Sequence, residues 1–188
     1  MNNYFNFFKY SFIIVFLSFR GIIVQLFILD SDPAKAAKMH CDKHVVKMPL
    51  EAAQILSTVH HIHASIYKEK CYKKTHEKHP CVIWASKTRK NYEWTLNLLK
   101  ALLAEYTYRY GKIHKSSEIL NYLEYNPVKS DLNELTPFAQ AIPTEYISND
   151  AVSAYRKYYI AEKSRFCKWT KRKAPDWYLK GLKKDNKT

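Results

Sequence analysis

The chain has 188 residues, a formal net charge of +14, 47% hydrophobic residues and 26% charged residues. This length fits one domain with its own core, since domains usually hold roughly 100 to 200 residues, and it excludes a large multidomain machine. The low glycine content and the 15% aromatic residues exclude a disordered tail or a collagen-like fibre. So positive a charge predicts a polyanionic partner, either nucleic acid or an anionic membrane surface.

The first 29 residues differ in composition from the rest. Residues 10–19 are nearly all apolar, and counting on to Leu29 gives about the 20 residues of a membrane span, interrupted by Arg20 and Gln25. Two interpretations stay open. One is a signal anchor, which confines any membrane contact to residues 4–29. The other, which we favour, is an appendage followed by a short buried strand or extended segment that ends at Leu29.

Helix signals dominate from Asp30 onward. Ser31 or Asp32, followed by Pro33, predicts an N-cap and first turn, and Pro49 predicts a kink or a new start within a helical run over residues 34–63. Gly111 is the expected end of a helix that opens at His79-Pro80. The other predicted elements are a lysine-rich loop (67–78), a helix (116–124), a proline-containing irregular stretch (126–148) and a last helix from an Asp150 cap to about residue 168.

No alternation with a period of two is sustained anywhere in the chain. We therefore predict a mainly α protein, a single compact helical domain with a hydrophobic N-terminal extension. The expected boundaries are 1–25 for the extension, 26–180 for the domain and 181–188 for a basic tail. Four irregularly spaced cysteines do not resemble a disulfide scaffold, which predicts reduced thiols in an intracellular compartment.

The densest polar cluster lies on a predicted helix. His40, Lys43, His44, Lys47 and Glu51 are three or four residues apart and therefore share one helical face. An ordinary solvated face would also explain this pattern. The flanking residues, however, are strongly apolar, so the stripe is expected on a mostly buried helix, where amines and carboxylates shift their pKa values and mark functional sites.

Three further groups of residues are candidates for contact with nucleic acid. The lysine-rich loop offers phosphate contacts, although a plain basic surface is the alternative, and its Cys and His spacing fits no standard zinc finger, so neither metal nor cofactor is expected. Trp94 and Arg109 are candidates as well, with a core aromatic and an ion pair to Glu105 as the alternatives. Basic residues interleaved with aromatics near the C-terminus suit phosphates and unstacked bases. The loop and C-terminal candidates are Lys73, Thr75, His76, His79, Lys168, Trp169, Lys171, Arg172, Lys173 and Trp177.

Five motifs between Phe27 and Tyr178 carry a resemblance to known proteins. They are L-D-x-D-P, H-C-D-K-H-V-V-K-M, Y-K-x-T-H-x-x-H-P, N-Y-x-W and E-Y-T-x-R-Y-G-K-x-H. With them the chain resembles, over about four fifths of its length, a group of phage and large-virus proteins described as similar to pyrimidine-dimer DNA glycosylases (endonuclease V type) with abasic-site lyase activity. The resemblance implies a compact, mainly α fold, damaged double-stranded DNA as partner and, for a viral protein, the cytoplasm or nucleus of the host.

In the glycosylase family the N-terminal α-amine attacks the sugar, and a His stands nine residues before a Pro that follows Arg-Glu-Leu. His40 and Pro49 keep this spacing, but Lys47 stands where the family has its catalytic Glu, and Val46 where it has Arg. The family-like start falls near Gln25. An amine is available there only after removal of the upstream residues.

A repair lyase needs an amine that forms an imine at the sugar C1′, groups that move protons and a positive groove for DNA. We assign the amine to Lys47, or to Lys43 one turn away, the carboxylate to Glu51, and proton donation or phosphate binding to His40 and His44. The hypothesis is a monomeric DNA glycosylase and abasic-site lyase. Its rivals are a non-catalytic nucleic-acid-binding or virion packaging protein and a metal-dependent nuclease built on His and Cys residues.

Overall fold

The computed structural model describes residues 24–185. Within this range the regular structure is helical and contains no strand, which confirms the mainly α class. Its α-helices are α1 (Pro33–Met39), α2 (Asp42–Ile62), α3 (Pro80–Lys87), α4 (Arg89–Tyr110), α5 (Leu120–Leu123), α6 (Ala151–Lys163) and α7 (Asp176–Asp185). None of them is long and apolar enough to cross a membrane. The apolar segment 10–19 lies outside the described residues.

The first helical run is divided into two helices at a different place from the one expected. The Asp32 carboxylate caps α1 by accepting hydrogen bonds from the N–H groups of the first turn. The chain is extended at His40 and Cys41, with ψ angles of 137° and 165°. From there α2 continues without interruption through Pro49. The new helix start, one of the two alternatives expected at Pro49, is therefore wrong, and the kink stays a prediction.

The packing of α2 explains why it tolerates a proline. Pro49 and its neighbour Met48 are buried, and most of the helix after Glu51 is buried as well, so tertiary packing outweighs the backbone hydrogen bond that proline removes. Nε2 of His114 also donates to the carbonyl oxygen of Val46 at 3.1 Å, which attaches the loop after α4 to this part of the helix.

The second helical run is divided at Thr88. This residue is extended, with φ −137° and ψ 158°, and its hydroxyl accepts a hydrogen bond from the N–H of Asn91 to cap α4. Its hydroxyl donates in turn to the carbonyl of Glu134, which ties the irregular stretch to the helix junction. Gly111 ends α4 at φ 65°, in the left-handed conformation that favours glycine, and this confirms the expected stop.

The core lies between α2, α3 and α4, with α1 packed on α4. Large side chains such as Leu56, Tyr92 and Leu99 are fully buried, and each aliphatic side chain of this kind contributes about 1.5 to 3 kcal/mol. Val24–Leu29 runs through the core as an extended segment rather than as a strand. Because Val24 is itself fully buried, the folded unit includes residues 24 and 25, which we had expected in the N-terminal extension.

The C-terminal end differs most from expectation. The Asp150 carboxylate caps α6 as predicted, but α6 ends at Lys163 and a single turn of 3-10 helix follows it. Helix α7 was not predicted, and the expected boundary between residues 180 and 181 falls inside it. Gly181 packs directly on the Ile160 side chain and leaves no room for a Cβ atom. α7 is therefore docked on α6.

Candidate active site

A pocket of about 170 Å³ opens between α2, α6 and the extended segment 24–29. Three of the predicted catalytic side chains, His44, Lys47 and Glu51, line it together. The remaining lining residues are Gln25, Phe27, Met48, Tyr158 and Lys163. The pocket therefore combines two amines, a carboxylate and an imidazole with an apolar wall.

An ion pair joins the rim of the pocket to its floor. Nζ of Lys47 lies 2.8 Å from Oε1 of Glu51, and the two residues are one helical turn apart. Their exposure is very unequal, because the Lys47 side chain is 60% exposed and that of Glu51 only 1%. The amine thus faces solvent and any bound ligand, while its carboxylate partner is held inside the protein.

The environment of Glu51 favours its protonated form. Burial raises the pKa of this carboxyl, although the Lys47 ammonium and the nearby backbone N–H of Gln25 act in the opposite direction. Among the described residues, neither carboxylate oxygen has a partner at full hydrogen-bond geometry, so the Lys47 ammonium and the Gln25 N–H both approach without an aligned bond. A buried carboxyl with a raised pKa beside an amine is suited to accept and return a proton.

His44 forms a polar part of the opposite wall. Its Nδ1 lies 2.8 Å from the Tyr159 hydroxyl, and its ring stacks on Phe27 at 4.5 Å between centroids. Burial lowers the pKa of His44 to about 2, with smaller contributions from His40 and Lys163. The imidazole is therefore neutral near pH 7. It can hydrogen bond to a substrate, and its expected role in proton donation or phosphate binding stays a prediction.

His40 and Lys43 do not line the pocket. His40 is fully buried, and its Nδ1 donates to the carbonyl of Ala36 at 2.7 Å. Burial lowers the pKa of His40 to about 4, so this side chain is also neutral near pH 7, and its hydrogen bond lies in the protein interior. Lys43 is exposed and its Nζ lies 5.0 Å from the ring centre of Phe166. Only part of the polar stripe therefore forms the site.

Sequence reasoning missed the residues that come from outside α2. Lys163, at the end of α6, brings a second amine to the pocket, and its Nζ lies 3.1 Å from the hydroxyl of Tyr158. Gln25 and Phe27 arrive on the extended segment. No local pattern relates these residues to the α2 stripe, since the contact arises only when α6 packs beside α2.

The lysine-rich loop lies outside the pocket. Lys73 and His76 are exposed and therefore accessible to phosphate, and the Thr75 hydroxyl lies 2.6 Å from Nδ1 of His76. The ring of His79 instead accepts a hydrogen bond from the N–H of Cys81 and caps α3. Within residues 24–185 no three His, Cys, Asp or Glu side chains form a group able to hold a metal ion.

Trp94 and Arg109 are structural residues. Trp94 is 6% exposed, packs on neighbouring aromatic rings and donates through its indole N–H to the carbonyl of Ser31. Arg109 is 2% exposed and its guanidinium donates to the carboxylates of Glu105 and Asp42 at 2.8 and 2.9 Å. The structure corrects the expectation that these two side chains contact DNA, because both are enclosed in the interior.

Much of the C-terminal segment is likewise engaged with the protein. Arg172 forms two hydrogen bonds to the Glu105 carboxylate and lies over the Tyr108 ring at 4.2 Å. The other internal contacts are Lys171 to the Tyr108 carbonyl, the Trp169 indole to the Met39 carbonyl, and Trp177 beneath the Arg156 guanidinium. Lys168 and Lys173 are exposed. The segment therefore uses some of its basic residues for attachment and presents others to solvent.

Comparisons of the chain with protein-family models, with curated proteins and with solved structures found no match. Function is therefore inferred from the chemistry of the pocket and from the motifs of the sequence.

Proposed function

We propose that the protein is a DNA-repair lyase that cleaves abasic sites through an imine formed with Lys47. The observation that carries this proposal is the exposed Lys47 amine held at 2.8 Å from the buried Glu51 carboxylate, in a pocket that also presents His44. Amine catalysis requires a neutral amine and a nearby group that accepts and returns its proton. This pair provides both.

The chemistry proceeds in steps that these residues can perform. Glu51 takes a proton from Lys47, and the neutral amine attacks the C1′ aldehyde of the ring-opened sugar. Return of protons releases water and leaves the imine. A base then removes a C2′ proton, the C3′–O bond breaks and the 3′ phosphate leaves. Hydrolysis of the conjugated imine frees Lys47. The neutral His44 and the Lys163 ammonium can hydrogen bond to the sugar and the adjacent phosphate.

The size of the pocket limits what it can hold. At about 170 Å³ it is smaller than the roughly 300 to 1,000 Å³ of pockets for drug-sized ligands. It suits one extruded sugar better than an intact pyrimidine dimer. We therefore place the lyase step at this pocket. Release of a damaged base, which the resemblance to pyrimidine-dimer glycosylases implies, is a separate activity to be tested on irradiated DNA.

Borohydride trapping tests the proposal. The purified protein, without added metal, is incubated with duplex DNA that carries one abasic site, and a covalent adduct is then captured by reduction. We expect the wild type to form the adduct, Lys47→Ala to lose it, and Lys43→Ala to retain it. Lys43→Ala is the matched control, since Lys43 lies one turn away on α2 and does not line the pocket.

Mapping of the modified residue decides which amine reacts. A reduced adduct on Lys47 supports the proposal, whereas an adduct on a processed N-terminus near Gln25 would replace Lys47 with the amine that the resemblance implies. Full strand cleavage by Lys47→Ala would contradict the proposal. So would the absence of both adduct and cleavage.

A non-catalytic nucleic-acid-binding protein is the second candidate. It is favoured by the net charge of +14 and by the exposed Lys168 and Lys173 on a segment fastened to the domain. Binding of DNA with no adduct, together with normal binding by Lys47→Ala, would establish this function in place of the lyase. Loss of binding after charge reversal of the two exposed lysines would support it further.

A further inference from the structure

Two cysteines from distant parts of the chain meet beside the start of α2. Cys41 precedes α2, and Cys167 follows the 3-10 turn after α6. The segments that carry them are joined by a backbone hydrogen bond from the N–H of Asp42 to the carbonyl of Lys168, at 2.8 Å.

Further hydrogen bonds fix the two segments on either side of this bond. The Trp169 indole donates to the Met39 carbonyl at 3.0 Å, and the N–H and hydroxyl of Thr170 donate to the Asp42 carboxylate. Because the neighbours of both cysteines are tied to each other, the fold holds the two segments that carry the thiols side by side.

The thiols also differ in character. The neighbouring Cys167 thiol lowers the pKa of Cys41, and the Tyr159 hydroxyl and the backbone N–H groups of Lys43 and His44 add to this effect against burial. The same contact raises the pKa of Cys167. A thiolate at the N-terminal end of a helix, facing a thiol that can resolve an oxidised intermediate, is the arrangement of a redox-sensitive pair.

We propose that Cys41 and Cys167 form a reversible disulfide when the protein meets hydrogen peroxide. The Cys41 thiolate attacks one peroxide oxygen, the O–O bond breaks, and hydroxide leaves and is protonated to water, which gives a sulfenic acid on Cys41. The Cys167 sulfur then attacks the Cys41 sulfur, and its thiol proton leaves with the displaced hydroxide as a second water. Two thiols are oxidised and one peroxide is reduced.

The other cysteines provide a contrast to this pair. Within the pair, Cys41 is fully buried and Cys167 is half-buried. All four cysteines are free in the structure. Burial raises the pKa of Cys71 to about 11 and that of Cys81 to about 12, so both remain thiols at neutral pH and serve as internal controls.

Two hydrogen bonds through the Tyr159 hydroxyl link Cys41 to His44 in the wall of the pocket. The Tyr159 hydroxyl accepts from the N–H of Cys41 at 2.9 Å and also contacts Nδ1 of His44 at 2.8 Å. Oxidation at Cys41 therefore acts on a residue that positions His44.

Peptide mapping tests the disulfide without reference to any activity on DNA. The reduced full chain is treated with a small molar excess of hydrogen peroxide, its remaining thiols are alkylated, and it is digested without reductant for mass spectrometry. We expect a Cys41–Cys167 linked peptide that dithiothreitol abolishes, with Cys71 and Cys81 recovered as alkylated thiols.

Two variants keep the test decisive. Cys167→Ser changes a half-buried residue and should accumulate a Cys41 sulfenic acid, which dimedone captures when the treated chain is unfolded in its presence, whereas Cys71→Ser, the matched control, should form the linked peptide as the wild type does. The proposal is overturned if treated wild type yields alkylated Cys41, if Cys41 and Cys167 oxidise separately without a link, or if Cys71 oxidises at the same rate.

Discussion

Two regions of the molecule are rich in charge, and they use it in opposite ways. In the pocket, the Lys47 amine is exposed to solvent, whereas its ion-pair partner, the Glu51 carboxylate, is buried. In the region around α4, Glu105 is shared by Arg109 and Arg172, and Asp42 joins Arg109 to the C-terminal segment. The first arrangement leaves a reactive group accessible. In the second, the charged groups bind one another and hold the C-terminal segment on the domain. Composition and spacing are similar in both regions, and the partners of each side chain make the difference.

The largest expected effect is on stability, and it tests whether Arg109 holds the fold together. Arg109→Ala leaves the buried carboxylate of Glu105 without one of its two guanidinium partners and removes one partner of Asp42, so we expect the free energy of unfolding to fall by about 3 to 5 kcal/mol. Denaturant unfolding measures this loss. Lys43→Ala, on the exposed face of α2, is the control and should change stability by less than about 0.5 kcal/mol. A loss below about 1 kcal/mol for Arg109→Ala would contradict the structural role.

Buried histidines and ion pairs should lose their contributions to stability in different pH ranges. His40 and His60 are fully buried, and burial lowers the pKa of each to about 4. In the unfolded chain each of these histidines binds a proton at the ordinary histidine pKa of about 6.5. Stability should therefore fall as the pH is lowered from about 6.5 to about 4, by up to about 3 kcal/mol for each residue.

The ion pairs of Glu105 should fail at lower pH. Burial raises the pKa of this carboxyl, but the hydrogen bonds from Arg172 and Arg109 outweigh burial and hold the pKa below its ordinary value. Its contribution is present above the unfolded pKa and is lost as the pH falls through the folded one, below about pH 4.5. Denaturant unfolding over a pH series should show the histidine phase first, and replacement of His60 by Gln should reduce that phase alone. A flat profile between pH 6.5 and 4 would refute the histidine assignment.

Glu51→Gln examines the pocket itself. The amide keeps the shape of the side chain but cannot take a proton from Lys47, so we expect the rate of adduct formation on abasic DNA to fall by about 100-fold while DNA binding is retained. Single-turnover trapping measures this rate. An unchanged rate at pH 7 would show that Glu51 takes no part in proton transfer.

Local signals in the sequence predicted the helical class, the caps at Asp32 and Asp150, and the glycine stop at Gly111, because each depends on residues within one turn. They also predicted the meeting of Lys47 and Glu51, which one helical turn on α2 brings together. They did not predict the break at Cys41, where hydrogen bonds from distant residues hold the extended backbone.

The remaining differences have the same physical origin. Gln25, Phe27 and Lys163 come to the pocket from elements far apart in the chain, and helix α7 is docked by contact of Gly181 with Ile160. Such long-range contacts have no period or spacing that a local pattern reveals. Trp94, an expected DNA contact, is instead buried in the core, an alternative that the sequence alone left open.

The smallest expected effect concerns the exposed lysines of the C-terminal segment. Lys173→Gln removes one cation that points to solvent, whereas the neighbouring Arg172 is bound to Glu105. If Lys173 contacts a phosphate, the slope of log K against log salt for duplex DNA should become shallower by about 0.9, with stability unchanged within about 0.5 kcal/mol. Fluorescence anisotropy over a salt series measures the slope. Arg172→Gln should instead lower stability, because it takes away one of two guanidinium partners of a buried carboxylate. An unaltered slope for Lys173→Gln would move the DNA contact away from this segment and toward the lysines around the pocket.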